Sequence, residues 1–284
     1  ADAARTRFDL TVVSVLLDAG AGPDWKYTEE GGAVHVRSEG LGVASWHAFL
    51  RGAFSSSATE PLRADAAALE RVDGATLRGV FQAGTANPMV GLEGRAGLLQ
   101  RLGAALRHEG GADARPALVF DRLTQGGLAT EVSASLILRE VLRTLGPIWT
   151  SGSLVQGLPG GDVWPHRWAG AGCGDGGDDP TTAGWVPFHK LSQWLSYSLL
   201  EPLQWAGIAV TGLDALTGLP EYRNGGLLLD AGVLLPRDAR ALGKTWKPQD
   251  DFIVEWRACT VALLDELAVL VRARLGKSAD ELPL

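Results

Sequence analysis

The sequence predicts a mainly α-helical protein, one helical domain over residues 1–284 with one or two short hairpins. Three observations lead there. Apolar residues recur at steps of three and four near both ends of the chain. No internal repeat of fixed period and no heptad seam is present. With 46% hydrophobic and 21% charged residues, the chain has ordinary globular composition and enough length for a sizeable core.

The elements follow in order. Phe8, Val12, Val15 and Ala19 mark a first helix, which Gly20 stops. Residues 21–24 form a turn, and Gly31 to Arg37 reads as a short strand or hairpin. Further helices are expected at about 41–51, 64–81, 93–108 and 130–145. The last carries Ile137, Val141 and Leu145 and ends at Gly146-Pro147. Residues 150–184 hold ten glycines plus prolines, yet also Trp164, His166 and Trp168, with Trp185 just after. Pure linkers seldom carry tryptophan, so this stretch reads as an ordered loop over a cleft. Phe188 to Leu200 resumes the helices, and Pro202 is expected to kink or end that one. Phe252, Trp256, Cys259, Leu263, Leu267 and Leu270 define the terminal helix.

Charge and composition remove several function classes. There are 26 Lys plus Arg against 33 Asp plus Glu, a net charge of −7. Such a surface repels nucleic-acid backbones, although a few arginines suffice for a small anion. Cys173 and Cys259 make no disulfide framework and suit a reducing cytoplasm. No apolar run is long enough to span a bilayer, so no membrane partner is expected. The chain opens on Ala1 and turns helical almost at once, so a natural leading segment is expected to be missing.

Histidines 35, 47, 108, 166 and 189 show no paired metal-ligand spacing, and the expectation is no metal and no cofactor. Gly157 to Gly161 has neither dinucleotide spacing nor a Walker lysine, and no nucleophile elbow appears. What remains is a set of charges set in apolar surroundings. Glu221-Tyr222-Arg223-Asn224 precedes the run Leu227 to Leu229 and then Asp230. As local structure it reads as a helix N-terminus, with Glu221 favourable to the dipole and Arg223 in a salt bridge. His189-Lys190 lies between Phe188 and Leu191. Glu255 and Arg257 sit two apart on the terminal helix, so they need separate partners. Arg37-Ser38-Glu39 precedes a helix that Ser38 or Glu39 can cap.

Two resemblances bear on these residues. The strings Leu16 to Tyr27, Arg37 to Leu41, Gly79 to Gln82, Asn87-Pro88 and Glu221 to Gly226 resemble the uracil-catabolism family of the URC pathway, long carried as a domain of unknown function. The stretch from about 185 to 270 is similar, more distantly, to the queuosine 5′-phosphate N-glycosylase family, whose helical fold is DNA-glycosylase-like. Phe188-His189-Lys190, Glu221-Tyr222-Arg223 and Glu255-Trp256-Arg257-Ala258 stand where that family has Phe-Tyr-Lys, Asp-Tyr-Arg and Glu-x-Arg-Ala. Asn224-Gly225-Gly226 replaces its Val-Pro-Gln, which alters the pocket wall.

Together the resemblances imply an N-glycoside hydrolase that cuts the ribose–urea bond of a ring-opened pyrimidine nucleotide. Glu221 is then the carboxylate beneath the anomeric carbon, with Asp214 or Asp230 as substitutes. Tyr222 or His189 serves the leaving nitrogen. Lys190, Arg223 and Arg257 bind the phosphate. Asn224, Glu255, Arg37, Glu39 and Trp25 complete the candidate binding set. The implied partner is a small phosphorylated ribosyl substrate, with contact to other uracil-catabolic enzymes. Phosphoribosyl transfer and non-catalytic binding are the competing classes.

Overall fold

The computed structural model describes residues 2–149, 153–170, 182–279 and 281–283. The fold is mainly α, as the periodicity predicts. In chain order the elements are α1 (Asp2–Leu17), β1 (Lys26–Thr28), β2 (Val34–Val36), α2 (Arg37–Leu50), α3 (Ala66–Leu69), α4 (Gly74–Val80), α5 (Leu92–Gly110), α6 (Leu118–Thr124), β3 (Glu131–Ser133) and α7 (Ala134–Leu145). Then come β4 (Leu154–Val155), β5 (Leu158–Pro159), β6 (Val163–Pro165), β7 (Trp185–Pro187), α8 (Lys190–Ser198), α9 (Leu200–Trp205), β8 (Ala209–Thr211), α10 (Tyr222–Asp230) and α11 (Asp251–Leu275). Where the sequence suggested one domain, the contacts gather into two compact units. Unit 1 is Ala1–Ile148 with Leu195–Thr211, and unit 2 is Trp149–Trp194 with Gly212–Leu284.

Unit 1 packs helices around α1, whose Phe8, Val12, Val13 and Leu17 are fully buried. Phe8 meets Phe120 edge-on at 5.2 Å, an arrangement that aromatic quadrupoles favour. Two buried polar groups tie this core together. Asp9 accepts from the amides of Ala64 and Ala117 and from Arg115 Nε. Burial pushes its carboxyl up to about 6, against the opposing pull of Arg115 and the two amides. Arg95 donates to the carbonyls of Leu17, Val90, Ala19 and Gly20, so it closes the end of α1 that carries orphan acceptors.

The expected early hairpin is present, with β1 and β2 antiparallel and Tyr27 opposite His35. Several boundaries differ from the sequence reading. The stretch 64–81 is two short helices, because Asp65 and Asp73 each cap a new N-terminus through the amides of Ala68 and Thr76. Residues 131–133 are a strand, parallel to β8. Its partner is far away in sequence, so no local pattern announces it. The helix expected over Phe188 to Leu200 is interrupted between Ser198 and Leu200, just ahead of Pro202, which sits in the first turn of α9 where its missing N–H costs nothing.

Unit 2 is built on a small core of Trp164, Phe188 and Val254, with Val186 and Ala258 packed against it. The antiparallel pair β6–β7 sets Trp164 opposite Val186. Within the glycine-rich stretch 150–184 the described residues carry β4, β5 and β6, while residues 150–152 and 171–181, Cys173 among them, lie outside the described residues.

Candidate active site

A cavity of about 440 Å³ opens in unit 2, and its chemistry comes from three helix beginnings and one loop. α8 starts at Lys190 and α10 at Tyr222, while the first turns of α11 supply Ile253, Trp256 and Arg257. Trp149, Trp164, Trp246 and Trp256 wall it. Such surfaces are apolar and rigid, and they suit the flat or ring-shaped face of a small ligand.

Two carboxylates line this cavity, and they are held in opposite ways. Asp162 is fastened on every side. Its oxygens accept from Arg257 Nη1 and Nη2 at 2.8 and 2.7 Å, from Trp164 Nε1 at 2.7 Å and from the Lys190 amide at 3.1 Å. Burial alone would raise its pKa, but the Arg257 bonds and charge outweigh it and hold Asp162 below the usual carboxylate range. Arg257 also stacks over the Phe188 ring at 4.0 Å, so both faces of the guanidinium's role are structural: fork to the acid, plane to the aromatic.

Among the described residues Glu221 has one ionic partner, Lys190 Nζ at 2.6 Å. It is the N-cap residue of α10, yet its side chain makes no cap hydrogen bond and reaches to Lys190 instead. Both side chains are partly buried, 24% exposed for Lys190 and 33% for Glu221. His189 lines the same cavity, and its backbone is left-handed at φ 44°. A non-glycine residue there is strained, and such strain gathers at functional sites. Burial pulls the His189 pKa below its ordinary value, against the charge of Asp162, so the ring is neutral at pH 7.

The candidates read from sequence therefore divide. His189, Lys190, Glu221, Tyr222 and Arg257 line one cavity. Glu255 lines a neighbouring cavity of about 590 Å³ that shares Trp246 and Trp256, as expected for positions two apart on a helix. Arg223 is exposed and bonds to Tyr222 Oη, outside the cavity lining. Asn224 is half-buried and also outside the lining, while Asp214 and Asp230 are exposed. Asp230 ends α10, about 13 Å along the helix from Glu221.

Trp25, Arg37 and Glu39 belong to unit 1. Trp25 is core, 1% exposed, and donates to the Phe81 carbonyl. Arg37 is exposed and opens α2 at φ 54°. Glu39 lies 3.5 Å from His35 Nδ1, beside a carboxylate, Glu29, that bridges His35 and His47. Sequence reasoning missed Asp162, Trp149 and Trp246. The signal for Asp162 was the unpaired Arg257, which required an acid from elsewhere in the chain.

Among the described residues no group of three or more His, Cys, Asp or Glu side chains is arranged to hold a metal ion. No helix among them is long and apolar enough to cross a membrane.

A family model described as "Protein of unknown function (DUF1688)" matches residues 1–284. The chain belongs to that family. It is 40% identical over 275 residues to Protein urg3 of Schizosaccharomyces pombe, covering 96% of this chain and 64% of that one. It is 40% identical over 298 residues to Uracil catabolism protein 4 of Lachancea kluyveri, covering 95% of this chain and 67% of that one. The chain thus spans about two thirds of the length of the curated relatives it matches. The resemblance read from the strings at 16–27, 37–41 and 221–226 is borne out.

Proposed function

We propose that the unit 2 cavity hydrolyses an N-ribosyl bond, releasing urea from a phosphorylated ribosylurea in uracil breakdown. One observation carries the reading: a carboxylate, Glu221, and an ammonium, Lys190, converge inside a tryptophan-walled cavity large enough for a sugar phosphate. Two further points support it. A relative of 40% identity is named for uracil catabolism. The order of the motifs at 188–190, 221–223 and 255–258 resembles that of queuosine-nucleotide glycosylases.

Breaking the C1′–N bond sends its electron pair to the leaving urea nitrogen and builds positive charge on the sugar. Glu221 stabilises that charge and takes a proton from the water that attacks C1′. The leaving nitrogen takes a proton from His189 or Tyr222 at the mouth, which hydrogen-bonds to it. The proton that Glu221 took from the water restores that donor, so one water is consumed and the enzyme is unchanged. The products are urea and ribose phosphate. Lys190 binds the phosphate, with Lys247 at the rim. Arg257 and Asp162 act as a brace, because each already satisfies the other.

Replacing Glu221 by Gln tests the reading. Urea release from ribosylurea 5′-phosphate is expected to fall by about 10²–10⁴. Wild-type-like turnover would remove Glu221 from the mechanism. Tight binding of the compound by the unaltered protein, with neither urea nor ribose phosphate released, is what a carrier would give instead.

A further inference from the structure

The 2.6 Å pair of Lys190 and Glu221 poses a problem for any ligand that needs either group. The two neutralise each other, and a substrate phosphate has to take Lys190 from a carboxylate that already holds it. The other charges on the lining give no easy substitute. Arg257 is committed to Asp162 through two hydrogen bonds, Lys247 is exposed at the rim, and His189 is neutral.

We propose that the Lys190–Glu221 pair is a latch that a dianionic group on the ligand opens, taking the ammonium and freeing the carboxylate in one exchange. The argument is one of charge. A monoanion such as a carboxylate offers Lys190 no more than Glu221 already gives, so exchange brings no gain. A phosphate monoester carries about −1.5 to −2 at neutral pH and three strong acceptor oxygens, so it competes on better terms. The local backbone favours the same exchange. Lys190 opens α8, and Glu221 leaves its own helix start without a side-chain cap, so two positive helix ends border the space an anion would fill.

The catalytic consequence rests on the glycosidase reading above. A phosphorylated ribosyl compound would switch on the base it needs, whereas the same compound without phosphate would meet a carboxylate still tied to Lys190. Specificity for phosphorylated substrate would then appear in turnover as well as in binding.

The latch itself is tested with inorganic phosphate alone, by calorimetric titration of the 284-residue chain. Glu221→Gln removes the competitor and is expected to tighten phosphate binding by up to about fivefold, the range of a partly exposed ion pair. Lys190→Ala is expected to weaken it by roughly tenfold or more. The unaltered chain is expected to bind phosphate at least about tenfold more tightly than acetate. Unchanged or weaker binding by Glu221→Gln overturns the proposal, and so does equal affinity of the unaltered chain for acetate and phosphate. None of these measurements needs turnover. Failure of the glycosidase reading shows separately, as absence of urea release by the unaltered protein.

Discussion

The two helices that read most clearly in the sequence, α1 and α11, have opposite fates. α1 places seven of its 16 residues in the interior of unit 1, Asp9 among them. α11 is 25 residues long, yet only Val254 and Thr260 are buried. Its later stripe residues Leu267 and Leu270 are 41% and 67% exposed. Periodicity thus identifies a helix with an apolar side but not what that side meets, because burial depends on elements remote in sequence. The same contrast separates the carboxylates. Asp9 is enclosed in the core, whereas Asp162 and Glu221 lie along a cavity, Asp162 held by several partners and Glu221 paired with Lys190.

The largest effect expected from this contrast is at Asp9. Asp9→Ala would strand two buried amides and Arg115, costing unit 1 about 3–5 kcal/mol in denaturant unfolding. The sign of its pH dependence is also fixed. A carboxyl raised from 3.8 to about 6 contributes stability below its unfolded value and loses that contribution as pH climbs through about 6. The stability gap between the unaltered chain and Asp9→Asn should therefore shift against the carboxylate between about pH 4 and 6. No shift across that window would show that the acid is fully ionised in the core.

A smaller loss is expected in unit 2 from Gly225→Ala. A Cβ there would lie 2.7 Å from Trp256 Nε1 and 2.8 Å from Thr260 Oγ1, so α10 and α11 would have to part. The cost should be about 1–3 kcal/mol, accompanied by altered tryptophan fluorescence, since Trp256 walls the cavity. Unchanged stability and fluorescence would mean that the close approach of the two helices is dispensable. The smallest effect belongs to the exposed stripe. Leu270→Ala should change stability by less than about 0.5 kcal/mol, whereas a cost above about 2 kcal/mol would mean that the outer face of α11 is covered in solution.

Much of this architecture was legible. The early hairpin, α5, α7 and α11 follow from turn residues and apolar spacing, and Glu221 was read as the start of a helix, which it is. The split between α3 and α4 was written in Asp65 and Asp73, whose capping role needs the break to be recognised before the helix. The pairing of β3 with β8 was out of reach, because each strand is three residues long and the partner lies 78 positions away. For the site, motif order grouped His189, Lys190, Glu221 and Arg257, and these four line one cavity. It gave Arg257 an outward task that Asp162 pre-empts, since the acid that satisfies it sits in a glycine-rich loop with no periodicity.

The parallel pairing of β3 with β8 also governs how this polypeptide can be divided. The first unit leaves the chain at Ile148 and regains it at Leu195, so its last strand and Trp205, which lies under Arg7 at 5.3 Å, are made only after much of the second unit. A ribosome that has released residues 2–148 has not yet supplied the mate for Glu131–Ser133, and closing that long connection is an entropic toll met late. No single scission yields either half intact. A shortened version that keeps the tryptophan cavity must therefore be joined from two stretches of sequence rather than trimmed from one end.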